Sequence, residues 1–138
     1  MGGEHAGARG VLFLHPAYVK ILIADDEPNI VTALEYLLRA RGYEVDIART
    51  GEEALARIRD ARPDLVLLDV MMPGRSGYDV CRELRASPEL SGVKVVMLSA
   101  KGAQADIGKG LEAGANLYIT KPFSNRELMD KIGALLRG

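Results

Sequence analysis

Polar residues with chemical potential follow apolar runs at several places along this chain. Asp25 and Asp26 follow Ile21-Leu22-Ile23-Ala24, Asp69 follows Leu65-Val66-Leu67-Leu68, Ser99 follows Val95-Val96-Met97-Leu98, and Lys121 follows Tyr118-Ile119-Thr120. Two carboxylates about 4 Å apart repel by about 4 kcal/mol at an effective dielectric of about 20. Gathered together, the three carboxylates require either a raised pKa or a bound cation. Oxygen ligands without a His/Cys cluster favour a hard ion, Mg²⁺ over Zn²⁺. Lys121 adds a compact positive charge and Ser99 a hydroxyl donor. The set suits phosphoryl transfer, in which positioning and charge neutralisation carry most of the catalysis. Asp69 is the candidate nucleophile, because carboxylates form aspartyl phosphates.

These residues need a scaffold that brings them together. Val19–Ala24, Glu44–Ala48, Leu65–Leu68, Lys94–Leu98 and Asn116–Ile119 read as strands, with helical patterns between and after them. Ile30, Val31, Leu34, Leu37 and Leu38 recur at helical spacing before Gly42. Thr50 with Glu53, and Ser124 with Glu127, form capping boxes. Tyr78, Cys81, Leu84 and Arg85 fall on a third helix, and Cys81 reads as a small packing residue. Ile107, Leu111 and Ala113 suggest a fourth, stopped by Gly114; Leu128, Ile132, Leu135 and Leu136 give the last its apolar face. Alternating strands and helices imply an α/β fold, a doubly wound five-stranded parallel sheet covered on both faces. Such sheets bind ligands beyond the carboxyl ends of their strands, where these polar residues lie.

Four segments at these positions resemble the receiver domain of two-component response regulators. They are Ile21-Leu22-Ile23-Ala24-Asp25-Asp26-Glu27-Pro28, Leu68-Asp69-Val70-Met71-Met72-Pro73-Gly74-Arg75-Ser76-Gly77, Leu98-Ser99-Ala100-Lys101 and Tyr118-Ile119-Thr120-Lys121-Pro122-Phe123. The resemblance covers about residues 18–137 and implies a flavodoxin-like sheet of order 2-1-3-4-5. It implies that Asp69 is phosphorylated by a sensor histidine kinase or histidine phosphotransfer protein. It further implies that Asp26, Asp69 and the Met71 backbone carbonyl bind Mg²⁺ (or Mn²⁺) directly, and Asp25 through a water. Ser99 and Lys121 would bond the phosphoryl oxygens, Tyr118 would be an aromatic switch, and Lys121-Pro122 would be cis. The expected output is control of a downstream protein or of an output domain outside this chain. A phosphorylation-dependent homodimer would use the face of the fourth helix, fifth strand and fifth helix. Asn116 stands where receivers that dimerise in this way often carry an acidic residue. Glu27 is expected to cap or flank the site without binding metal directly.

Two other functions share parts of this pattern. Phosphohydrolases of the haloacid dehalogenase type form an aspartyl phosphate, but carry a second Asp two residues after the nucleophile, where this chain has Met71. Dinucleotide-binding modules place Gly-x-Gly-x-x-Gly after the first strand, where this chain has Asp25-Asp26-Glu27-Pro28. An acidic edge there repels a pyrophosphate. The expectation is a signalling phosphoacceptor, not an enzyme acting on external substrates.

The bulk properties agree. A chain of 138 residues with 48% hydrophobic and 27% charged residues suits one globular domain. Its net charge of −1 gives no general electrostatic reason to bind nucleic acid or an anionic membrane. The single cysteine permits no internal disulfide, which fits a reducing, cytoplasmic setting. No apolar stretch approaches the roughly 18 residues of a membrane span. Residues 1–17 read as a tail without function, with His5 and His15 incidental, and residues 18–138 as the domain. The last helix runs to the end of the chain, so no output domain is expected within it.

Overall fold

The structure is a computed structural model and describes residues 18–138. The expectations attached to residues 1–17, including His5 and His15, lie outside the described residues. Strands β1 (Lys20–Ala24), β2 (Glu44–Ala48), β3 (Leu65–Asp69), β4 (Lys94–Ser99) and β5 (Leu117–Thr120) form one parallel sheet in the order β2-β1-β3-β4-β5. Helices α1 (Pro28–Ala40), α2 (Gly51–Ala61), α3 (Gly77–Ala86), α4 (Gln104–Glu112) and α5 (Asn125–Arg137) cover it, with a 3₁₀ turn at Pro88–Leu90. The architecture and strand order are those expected. Strands β3, β4 and β5 each run one residue further than expected, so Asp69 and Ser99 belong to the sheet itself.

The burial pattern explains the layers. All five residues of β3 are buried, because a central strand has helices on both sides. Alternate residues serve two cores. Leu22, Val66 and Leu68 pack with Leu55 and Ile58 of α2 and Cys81 and Leu84 of α3. Ile23, Leu65 and Leu67 pack with Leu34 and Leu38 of α1 and Leu128 and Ile132 of α5. Cys81 is fully buried, in keeping with a packing role.

Thr50 and Ser124 cap their helices through the N–H groups of Glu53 and Glu127. The return bond of the first box differs: the Glu53 carboxylate accepts from Arg49 N–H, one residue before the cap. Ser76 caps α3 in the same way, through Asp79 N–H. Helix α4 departs from the expected apolar face. Leu111 is 47% exposed, and the buried position of α4 is Gly110.

Arg85 ties the end of α3 to the far edge of the sheet. Its guanidinium donates to the carbonyls of Gly114 (2.9 Å), Ser91 (3.2 Å) and Val93 (2.7 Å), and to Asn116 Oδ1 (2.9 Å). The same Asn116 oxygen accepts from Val95 N–H at 2.7 Å. Asn116 is thereby engaged within its own chain, closing the start of β4 against β5. Arg85→Ala leaves these acceptors without their charged donor and should cost about 2 kcal/mol, the scale of hydrogen bonds to a charged group. Urea denaturation checks it: the midpoint falls while the slope is unchanged.

Candidate functional site

The sheet register assembles the site. Ala24 pairs with Leu68, so the next residues, Asp25 and Asp69, leave neighbouring strands at one level. Asp69 pairs with Leu98, which sets Ser99 one residue beyond, and Ser99 pairs with Thr120, which sets Lys121 one further. Asp25, Asp69 and Ser99 are buried polar residues. The β3–α3 loop is held close to Asp69. Met71 N–H donates to Asp69 Oδ1 at 3.1 Å, and Gly77 N–H to the Val70 carbonyl at 2.9 Å. A Cβ on Gly77 would lie 2.3 Å from the Asp69 carbonyl oxygen, so only glycine lets α3 start here.

Lys121 joins the carboxylates. Its ammonium lies 2.9 Å from Asp25 Oδ2, 3.0 Å from Glu27 Oε1 and 3.5 Å from Asp69 Oδ2. Burial works against the charge of Lys121, yet Asp25, Glu27 and Asp69 outweigh it and hold the ammonium above the ordinary lysine pKa. Asp69 moves the other way from most paired carboxylates. Burial, reinforced by the charge of Asp25, pushes it above its ordinary value, although Met71 N–H and Lys121 pull against the shift. The Lys121-Pro122 bond is cis, as the resemblance implied.

Asp25, Glu27 and Asp69 each offer a carboxylate oxygen, all within 4.8 Å of one another. This donor set, oxygen throughout and near a sheet edge, fits a hard divalent cation. Asp26 is exposed and stands outside that trio. Glu27 occupies the N-cap of α1 without a side-chain cap bond, and its carboxylate flanks the site. The Met71 side chain is 59% exposed at the rim.

Ser99 and Tyr118 are joined through one intervening residue. Lys101 N–H donates to Ser99 Oγ at 3.1 Å, and Tyr118 Oη donates to the Lys101 carbonyl at 2.6 Å. The Tyr118 ring lies against Gly110, where a Cβ would meet it at 2.6 Å and the Met97 sulfur at 2.9 Å. Gly77, Gly110 and the Lys101 backbone are site elements that the sequence pattern does not mark. Gly77 lies within the Leu68–Gly77 segment, whereas Gly110 carries no local signal, because its role depends on a ring eight residues away.

A family model described as "response regulator receiver domain" matches residues 21–133. The chain belongs to this family. Receiver domains of two-component systems are signalling phosphoacceptors. Among curated relatives, the DNA-binding response regulator MtrA of Mycolicibacterium smegmatis is 47% identical over 118 residues, 86% of this chain and 50% of that protein. The phosphate regulon transcriptional regulatory protein PhoB of Rhizobium meliloti is 43% identical over the same length, 86% of this chain and 52% of its own. The receiver thus spans about half the length of these relatives. A putative response regulator from Chloroflexus aurantiacus superposes with a TM-score of 0.82 at 40% identity, covering 86% of this chain and 97% of that one. The BeF₃-activated receiver domain of DrrB gives 0.79 at 32% identity, covering 87% and 98%. No helix among the described residues is long and apolar enough to cross a membrane.

Two outcomes test this geometry. A carboxyl whose pKa is raised by folding contributes stability below its ordinary pKa, and that contribution is lost as pH rises through the folded value. Asp69→Asn should therefore raise the thermal midpoint at neutral pH in divalent-free buffer, with the gain vanishing below the ordinary carboxylate range. Equal midpoints at neutral pH would contradict the electrostatic account. Gly110→Ala should displace the Tyr118 ring and cost about 1–3 kcal/mol through overpacking, despite the better helix propensity of alanine. The Tyr118 ring resonances and the urea midpoint report the two effects.

Proposed function

We propose that Asp69 accepts a phosphoryl group from a sensor histidine kinase or histidine phosphotransfer protein in a Mg²⁺-dependent reaction. The observation that carries this reading is the buried Asp69 carboxylate, 3.5 Å from the Lys121 ammonium and beside Asp25. An Asp69 oxygen attacks phosphorus, the P–N bond to the donor imidazole breaks, and the imidazole leaves. Asp26 and Asp69, with the Met71 carbonyl, would hold the cation directly and Asp25 through a water, which requires Asp26 to turn in from its exposed position; Mn²⁺ suits the same donors. When bound, it supplies positive charge for the phosphoryl oxygens. Lys121 adds a second positive charge, Ser99 a hydroxyl donor, and Met71 N–H steadies Asp69. Beyond this self-directed transfer, only autodephosphorylation is expected. Met71 has no proton to give a leaving group, which disfavours the phosphohydrolase alternative.

The signal leaves by the link from Ser99 through Lys101 to Tyr118. If Ser99 Oγ turns to a phosphoryl oxygen, it changes its bond to Lys101 N–H, and the Lys101 carbonyl carries the change to Tyr118 Oη. Phosphorylation biases two pre-existing states in this way. A full reversal from 1:99 to 99:1 takes about 5.5 kcal/mol of differential stabilisation. The output is a downstream protein or an output domain. Its route includes a phosphorylation-dependent homodimer on the α4–β5–α5 face, where Leu111 is exposed. The relatives are named as DNA-binding and transcriptional regulators. The expectation of no nucleic-acid contact is therefore a proposal for the receiver alone. Its setting is proposed to be the cytoplasm, and residues 1–17 a tail outside the domain.

Acetyl phosphate with Mg²⁺ should add one phosphoryl group by intact mass to the wild type and none to Asp69→Asn, and chelation should abolish labelling. Equal labelling of both proteins would sink the assignment. Beryllofluoride with Mg²⁺ should shift NMR signals at Ser99 and Tyr118.

A further inference from the structure

Glu27 stands at the N-cap of α1, where a side-chain oxygen ordinarily accepts from the second or third N–H of the helix. Its carboxylate makes no such bond. Its own backbone N–H is held by Asp25 Oδ1 at 2.9 Å, and its carboxylate reaches instead to Lys121, 94 residues away in sequence. A lysine ammonium has three donors and no acceptor. Here two of them go to Asp25 and Glu27 at 2.9 and 3.0 Å, while Asp69, the proposed phosphoacceptor, is the most distant of the three anions at 3.5 Å. The Glu27 side chain is 58% exposed, against 3% for Asp25. Water can therefore take over from Lys121 on Glu27 at little cost, whereas the Asp25 contact is enclosed. Of the two anions that compete with Asp69 for the ammonium, Glu27 is the one built to let go.

We propose that Glu27 is a positioning residue: it draws Lys121 back from Asp69 in the unphosphorylated protein and yields it when a phosphoryl group arrives. The proposal rests on the reading of Asp69 as phosphoacceptor. It requires both reach and charge. Glutamine at position 27 keeps the reach and loses the charge. Aspartate keeps the charge and, one methylene shorter, loses the reach. Both should release Lys121 toward Asp69, and both keep a side chain acceptable at an exposed helix start.

The test compares the wild-type chain with Glu27→Gln and Glu27→Asp. In metal-free protein, the side-chain ammonium NMR signal of Lys121 should shift in both variants. With saturating Mg²⁺, the maximal rate of labelling by acetyl phosphate should rise about three-fold in both, the scale of one partly exposed ion pair. The half-saturating donor concentration should stay unchanged. Wild-type behaviour of Glu27→Asp beside an altered Glu27→Gln would overturn the tether, because charge near position 27 would then suffice. An unmoved Lys121 signal with unchanged rates in both variants would overturn it as well. A Lys121 signal that shifts in both variants relative to wild type, with no phosphoryl group added to any of the three proteins, would uphold the resting contact of Glu27 with Lys121 and reject the reading of Asp69.

Discussion

The site depends on one charge balance. Three carboxylates cluster at the end of a parallel sheet, two of them buried, and the Lys121 ammonium lies among them. Lys121 cannot satisfy all three equally, and its closest partners are Asp25 and Glu27. Asp69 is left partly uncompensated in a place where burial raises the cost of its charge. That deficit suits the proposed role of Asp69 as acceptor of a phosphoryl group together with a cation. The scaffold beneath is firmly packed, with the whole of β3 buried between two cores.

Much of this was legible in the sequence because the relevant signals are local. Unbroken apolar runs mark central strands, and capping residues mark helix starts. Parallel strands must bring their carboxyl ends to one edge, so Asp25, Asp69, Ser99 and Lys121 could be grouped before any distance was known. Boundaries were harder. Asp69 and Ser99 read as residues just past their strands, yet hydrogen bonding carries each ladder through them, since polarity does not end a strand that still has a partner. The geometry of the acidic cluster was not legible either. Along the extended backbone that leaves β1, residues two apart lie on one side, so Glu27 lies with Asp25 and Asp69, while Asp26 is exposed.

Contacts among distant side chains explain the other departures. Leu111 is apolar and at helical spacing, yet it is 47% exposed; the buried position of α4 is Gly110, which packs against the Tyr118 ring. Asn116, read as the loss of a charge for a partner subunit, has work to do inside its own chain. Its side-chain oxygen accepts from both Arg85 and Val95. An exposed residue can thus be committed internally, and only three-dimensional neighbours reveal it.

The connection between Ser99 and Tyr118 runs through the peptide groups of Lys101, N–H on one side and carbonyl on the other. The Lys101 side chain takes no part in either bond. Evolution is therefore free to vary the character of position 101, from cationic to acidic or apolar, without cutting the link. Proline is the exception, since it has no N–H to offer Ser99. A link carried by the main chain in this way places almost no demand on side-chain identity at position 101.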